Sequence, residues 1–379
     1  MSLRTHDRLL TAAAVAMFVA TGCSSNAGSV STMPSGASPA QSQSAARYSS
    51  PAGGGILHQL RNQVVIGSTI DPVYGQLNPY GLDVAKSTSG DFTKGDLAVC
   101  NFNDNTNTQG TGYTIVALHP TPGSTPALVT ADPTNLVGCN ALALGPDDTI
   151  YAAAFSSNDN PIYSSSGTLI TNLTGSPFNH PFGQIYAQPK KGGAAVYESN
   201  AADGSIVRIN LPSLTPEVIA TGFPVNGGPP GSILGPSGLQ YDRSHDRLFV
   251  VDGDNNSVTT ISGVSGMHKK CLNVVARGTR FAGNCASKAR VLYIGAPLNG
   301  PISSALLFNG TLVVGNTLDP SGENLMIAIN PGGHVQDVLN VDTGAAGAIF
   351  GMVATGSNAA NTKLYFNDDN ANNLQVLER

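Results

Sequence analysis

From residue 63 onward, apolar and polar positions alternate along much of the chain with a period of two, the pattern of half-buried strands. Residues 248–261 and 364–377 align without a gap. Each reads as an alternating strand, a turn of Asp, Asn and Gly or Ala, then a second alternating strand. Residues 196–209 form a third copy with the same turn length. Upstream lie further short strands opened by Gly, such as Pro236-Ser237-Gly238-Leu239-Gln240-Tyr241-Asp242 and Pro79-Tyr80-Gly81-Leu82-Asp83-Val84. No unit of this kind buries both faces by itself, so the repeat predicts sheets stacked around an axis. Gly and Ala near the inner strands are expected where sheets crowd, and Leu248, Val250, Tyr365 and Leu374 between the sheets.

The fold class this predicts is all-β, a β-propeller of six four-stranded blades. The inner strands begin near Gly81, Asn140, Gly183, Gly238, Ser304 and Gly351, at intervals of roughly 45 to 65 residues. The strand at 63–67 has no unit of its own. It is expected to pair as the outer strand of the last blade and so remove an open edge. Five or seven blades also fit, because 265–303 is ambiguous. The motif Pro236-x-Gly238-Leu239-x-x-Asp242, then Arg247-Leu248-Phe249-Val250-Val251-Asp252, then Asp254-Asn255-Asn256-Ser257-Val258, resembles a blade of the NHL-repeat family. The resemblance is sharp over 236–261, fair over 351–377 and loose elsewhere.

The N-terminus changes the picture of where the protein works. Arg4 and Arg8 precede an apolar run at 9–20, a secretory signal too short to span a bilayer comfortably. The run ends in Ala20-Thr21-Gly22-Cys23, which resembles a bacterial lipoprotein signal, although that family usually carries Leu where Ala20 stands. The resemblance implies a signal peptide at 1–22 and lipidation of Cys23. Ser24 then implies the outer membrane, facing the periplasm or the cell surface. An ordinary cleaved signal peptide is the plainer reading. Residues 23–55 are rich in Ser, Ala, Gly and Pro and read as a disordered tether, with a reach of a few tens of Å at about 5–6 Å times the square root of the length. The propeller domain is expected over 56–379.

Only 11% of residues are charged, and Gly (44) and Pro (24) are frequent, as suits short strands and tight turns. The net charge is −5, and removing Arg4, Asp7 and Arg8 (net +1) leaves −5 − 1 = −6, so no basic nucleic-acid footprint is present. Beyond Cys23 there remain Cys100, Cys139, Cys271 and Cys285. Four cysteines allow three pairings, or none if the thiols stay reduced. Cys271–Cys285 closes a short irregular loop, and Cys100–Cys139 then joins neighbouring blades.

Candidate chemistry is sparse. Asp252-x-Asp254-x-Asn256 has the oxygen spacing that opens a calcium loop but lacks its glycine and closing Glu. An Asx-type turn explains it equally. Ca²⁺ at this turn is the one cofactor considered. Asp83 and Asp242 end inner strands and, with Asn140, are candidates for a polar ring around the axis. The plainer reading is that each carboxylate bonds a neighbouring turn. A lactonase-type propeller needs acids and amides converging on a divalent metal. Of four Glu, only Glu198 lies in a clear blade strand, and it aligns with Val250 rather than with an inner-strand position. No nucleophile elbow, phosphate loop or C-x-x-C-H occurs. The expected function is therefore a non-catalytic binding or scaffold module, anchored to the envelope by its lipid. It is expected to be monomeric and to take a protein or small ligand on rim loops 101–112, 155–167, 222–235 and 265–300. The alternative is a metal-dependent hydrolase or lyase.

Overall fold

A computed structural model describes residues 55–379. The expected signal peptide at 1–22, the expected lipidation site Cys23 and almost all of the expected tether lie outside the described residues. The described residues form six sheets around one axis, each with an antiparallel core of strands that are mostly consecutive in the chain. The inner strands are Leu77–Val84 (blade 1), Cys139–Leu144 (blade 2), Pro181–Ala187 (blade 3), Pro236–Asp242 (blade 4), Pro301–Leu306 (blade 5) and Ile349–Thr355 (blade 6). The expected six-bladed propeller is what the structure shows.

Each inner strand carries a β-bulge at the same place, for example between Pro79 and Leu82, Pro181 and Gln184, or Ile349 and Met352. A bulge re-aims the chain and sharpens its twist. It brings a small residue against the next blade's inner strand. A Cβ on Gly81 would lie 2.8 Å from the Ala141 Cα, one on Gly183 1.7 Å from the Ser237 oxygen, and one on Gly351 2.3 Å from the Tyr80 oxygen. The last of these closes the ring from blade 6 to blade 1. Here glycine is required by close approach, not by turn geometry.

The ring is also closed by strand pairing. Strand Asn62–Ser68 pairs antiparallel with Asn373–Glu378 as the outer strand of blade 6, from Asn62↔Glu378 to Ser68↔Asn373. A single helical turn before it, Ile56–Gln59, buries Leu57 and Leu60 among residues of blades 5 and 6. The Cys100–Cys139 disulfide joins blade 1 to blade 2, and Cys271–Cys285 closes the excursion between the last two strands of blade 4. That excursion is not a free loop. Its strand Leu272–Val275 pairs in parallel with Thr215–Thr221, the fourth strand of blade 3, and Arg280–Ala282 pairs beyond it. The sheet of blade 3 thereby grows to six strands. Between neighbouring blades the core is apolar, as in the cluster of Ile66, Leu82, Val99 and Leu374 between blades 6 and 1.

Candidate functional site

All six inner strands line an axial cavity of about 100 Å³. Because successive strands alternate direction, the starts of the inner strands and the ends of the second strands lie at one mouth. That mouth is sealed by rings. Tyr80 stacks on Phe102 at 4.3 Å and on Phe350 at 3.7 Å between centroids, and Phe155 meets Phe102 edge-on at 5.7 Å. Phe182 and Ile302 complete the layer, and all are buried. Aromatic residues at the bulge positions explain the stacking, since the bulge turns these side chains inward over the axis. His180 stacks on Phe155 at 4.4 Å, and burial holds its imidazole below the ordinary value.

A strap crosses this mouth. The segment 222–235 leaves blade 3 and reaches blade 1, where Gly231 lies against Gln109 and Gly110 against Pro230. Asn226 staples the strap internally: its side-chain oxygen accepts from Leu234 N at 2.8 Å and Gly228 N at 2.9 Å, and its amide donates to the Ser232 carbonyl at 2.9 Å. Ile233 pins the strap into the aromatic layer with 3% of its surface exposed.

The structure brings two of the three candidate ring residues to the axis. Asp83 and Asn140 line the axial cavity, and Asp242 does not. Asp83 accepts hydrogen bonds from Leu144 N at 2.8 Å and Val84 N at 2.7 Å, which ties blade 1 to blade 2. Asn140 donates to the Phe182 carbonyl at 2.6 Å, while its own side-chain oxygen has no partner. Asp242 sits in a hairpin turn, accepting from Ser244 N at 2.8 Å and Arg247 at 3.0 Å, with His245 at 2.6 Å. Burial opposes its charge, but the His245 and Arg247 hydrogen bonds win and hold its carboxyl below the ordinary value.

The residues of the candidate calcium triplet have partners within the fold, although Asp252 Oδ2 is buried without one. Asp252 Oδ1 accepts from Asp254 N at 3.1 Å and Asn255 N at 3.2 Å, the pattern of an Asx turn. Asp254 pairs with Arg277 at 3.3 Å, and Asn256 Oδ1 accepts from Gly300 N at 2.8 Å. Among the described residues, no group of three or more His, Cys, Asp or Glu could hold a metal ion. Burial, with the nearby Asp254 charge, pushes the Asp252 carboxyl up to about 7. The folded protein therefore keeps this proton when the unfolded chain has lost it. The stability so contributed is fully present below about pH 4 and is lost as pH rises through about 7. Asp252→Asn should abolish that slope and gain about 3–5 kcal/mol over wild type at pH 8, with little gain at pH 4. Urea melts at the two pH values check it, and equal differences at both would refute the assignment.

No family model and no curated protein sequence matches the chain. Solved structures do. A gluconolactonase from Xanthomonas campestris aligns with a TM-score of 0.54 at 12% identity, over 82% of this chain and 88% of that one. A second structure named for gluconolactonase aligns at 0.52 and 12% identity, over 86% and 93%. Virginiamycin B lyase from Staphylococcus aureus aligns at 0.49 and 12% identity, over 84% and 100%. The likeness to the two gluconolactonase structures is one of fold, at identities too low to carry a site across.

The sequence marks Glu198 as out of place on its strand but does not show what surrounds it. Glu198 is fully buried between blades 2 and 3, where Asn160 and Gln184 donate to its carboxylate, Gln184 at 3.1 Å. Its signal was present in the sequence, since it stands where the aligned copy has Val250.

Proposed function

We propose that this chain is an envelope-anchored lipoprotein, lipidated at Cys23, whose NHL-like propeller binds a protein partner on its strapped face without catalysis. The observation that carries this reading is the sealed mouth. Rings and the strap cover the mouth at which the inner strands begin, and the carboxylates of Asp83 and Asp242 are engaged in holding turns and blades. The same face offers apolar contact at its rim. Ile70, Val73 and Tyr74 are exposed at 40%, 62% and 45%, and Tyr74 meets Tyr113 edge-on at 6.0 Å. Gly75 abuts Asn105, so this patch continues through loop 104–113 to the strap. Exposed aromatic and aliphatic side chains on a rigid rim suit anchoring in a partner's pocket.

A photo-crosslinker at position 74 is expected to trap one predominant envelope protein, and Val73→Asp should remove the adduct. The second reading, a metal-dependent hydrolase or lyase, draws on the names of the similar structures. Turnover of gluconolactone by the purified propeller with Mn²⁺, Zn²⁺ or Ca²⁺ would overturn the binding reading in its favour. The anchor is tested separately. Cys23→Ser should abolish palmitate labelling and release the protein from the membrane fraction, while unchanged labelling would remove Cys23 from consideration.

A further inference from the structure

The six interfaces between blades repeat one arrangement of three side chains. One comes from the third strand of a blade, and the other two are a cross-strand pair from the inner and second strands of the next blade. Between blades 1 and 2 these are Ile115, Leu142 and Ala152. Between blades 3 and 4 they are Ile206, Leu239 and Val250. Blades 5 and 6 use Met326, Met352 and Phe366, and blades 6 and 1 use Leu374, Leu82 and Val99. Blades 4 and 5 use Val258 and Val314, with Ser304 as the third member. At the remaining interface, between blades 2 and 3, the same three places hold Asn160, Gln184 and Glu198.

Replacing an apolar triad by two amides and a carboxylate in a dry interface is costly unless the polar atoms are satisfied. Here they are not. Asn160 and Glu198 have no exposed surface and Gln184 is 8% exposed. Both amide nitrogens donate to one atom, Glu198 Oε2. Glu198 Oε1, Asn160 Oδ1 and Gln184 Oε1 are all left without a partner, as is Asn140 Oδ1 on the neighbouring inner strand. No Lys, Arg or His donates to Glu198 in this arrangement. One proton on the carboxyl would serve one of these oxygens at most. A cation beside Glu198 would take carboxylate and amide oxygens together, since a carboxamide turned half round presents oxygen where its nitrogen stood.

We propose that Asn160, Gln184 and Glu198 form an internal cation site between blades 2 and 3 for a hard, oxygen-seeking ion of the Na⁺ or Ca²⁺ class. Carboxylate and amide oxygens are the donors such ions take, with water filling the rest of the shell. Gln184 also lines the axial cavity, which gives the ion a route from the axis. The single carboxylate balances one positive charge, which favours Na⁺, and leaves Ca²⁺ with a surplus charge in a buried interface.

The test uses the propeller dialysed against choline chloride with EDTA, then melted in NaCl or with added CaCl₂ at constant ionic strength. At saturation the bound ion should raise Tm by about 5 °C over choline. Glu198→Gln should lose the shift, and Asp252→Asn should keep it. The triple variant Asn160→Ile, Gln184→Leu, Glu198→Val restores the apolar triad of the other interfaces. It should fold and melt identically in every salt. Equilibrium dialysis of wild type with labelled Na⁺ and Ca²⁺ should give one bound ion, and which label binds identifies it. No shift and no bound label with either ion would overturn the proposal, as would a shift that persists in Glu198→Gln or in the triple variant.

Discussion

A chain that begins at residue 70 is expected to lose its monomeric fold, whereas one that begins at residue 56 keeps it. The segment between them contains the strand Asn62–Ser68, which completes blade 6, and the helical turn ahead of it. Leu57, Leu60 and Ile66 are each at most 2% exposed. At about 1.5–3 kcal/mol for each fully buried side chain, their loss removes roughly 5–9 kcal/mol. That is comparable with the whole stability of a typical domain, about 5–15 kcal/mol. The truncation also bares the edge of Asn373–Glu378, with Leu374, Val376 and Leu377 on it. A bare apolar edge pairs with other chains. Light scattering after gel filtration should show aggregate for the shorter chain. A monomer melting within a few degrees of the longer one would mean that the ring does not depend on this closure.

Gly183→Ala is expected to destabilise the propeller by about 3 kcal/mol or more, lowering Tm by roughly 5 °C or more. The added carbon would stand 1.7 Å from the Ser237 carbonyl oxygen, and backbone on both sides leaves little room for it to move. Ser199 bridges the same contact, accepting from Gly183 N at 2.9 Å and donating to the Ser237 oxygen at 3.0 Å. Opening the two blades to admit a methyl group therefore strains a backbone hydrogen-bond bridge as well as the packing. Gly266→Ala is the control, because nothing lies within 4 Å of its added carbon. Equal Tm values for the two variants would show that the inner ring is looser than its geometry.

The aligned runs at 248–261 and 364–377 were legible because their information is local. Alternation marks the strands, an Asp-Asn turn of fixed length sets their register, and the pairs Leu248↔Ile261 and Leu364↔Leu377 follow directly. The ambiguity over 265–303 has an equally concrete origin. Part of that stretch pairs with blade 3 rather than with its own blade, through the parallel contact of Ala220 with Leu272, and no local pattern encodes a choice between neighbouring sheets. Asp83 shows the same limit at the level of a side chain. Its place on the axis could be read from its strand, but its bond to Leu144 N comes from the adjoining blade.

Sequence alone thus determined the all-β class, the repeating blade and the closing strand, because short-range alternation, turn chemistry and small residues at inner strands recur along the chain. Tertiary structure decided what the repeat is built around. It sealed the mouth with Tyr80, Phe102, Phe155, Phe182 and Phe350, laid the strap over them through Ile233, and gathered Asn160, Gln184 and Glu198 into one interface. These residues come from different blades, and their meeting depends on how bulged and twisted sheets converge on an axis. That convergence is a property of the assembled ring, which leaves no period in the sequence for any single blade to display.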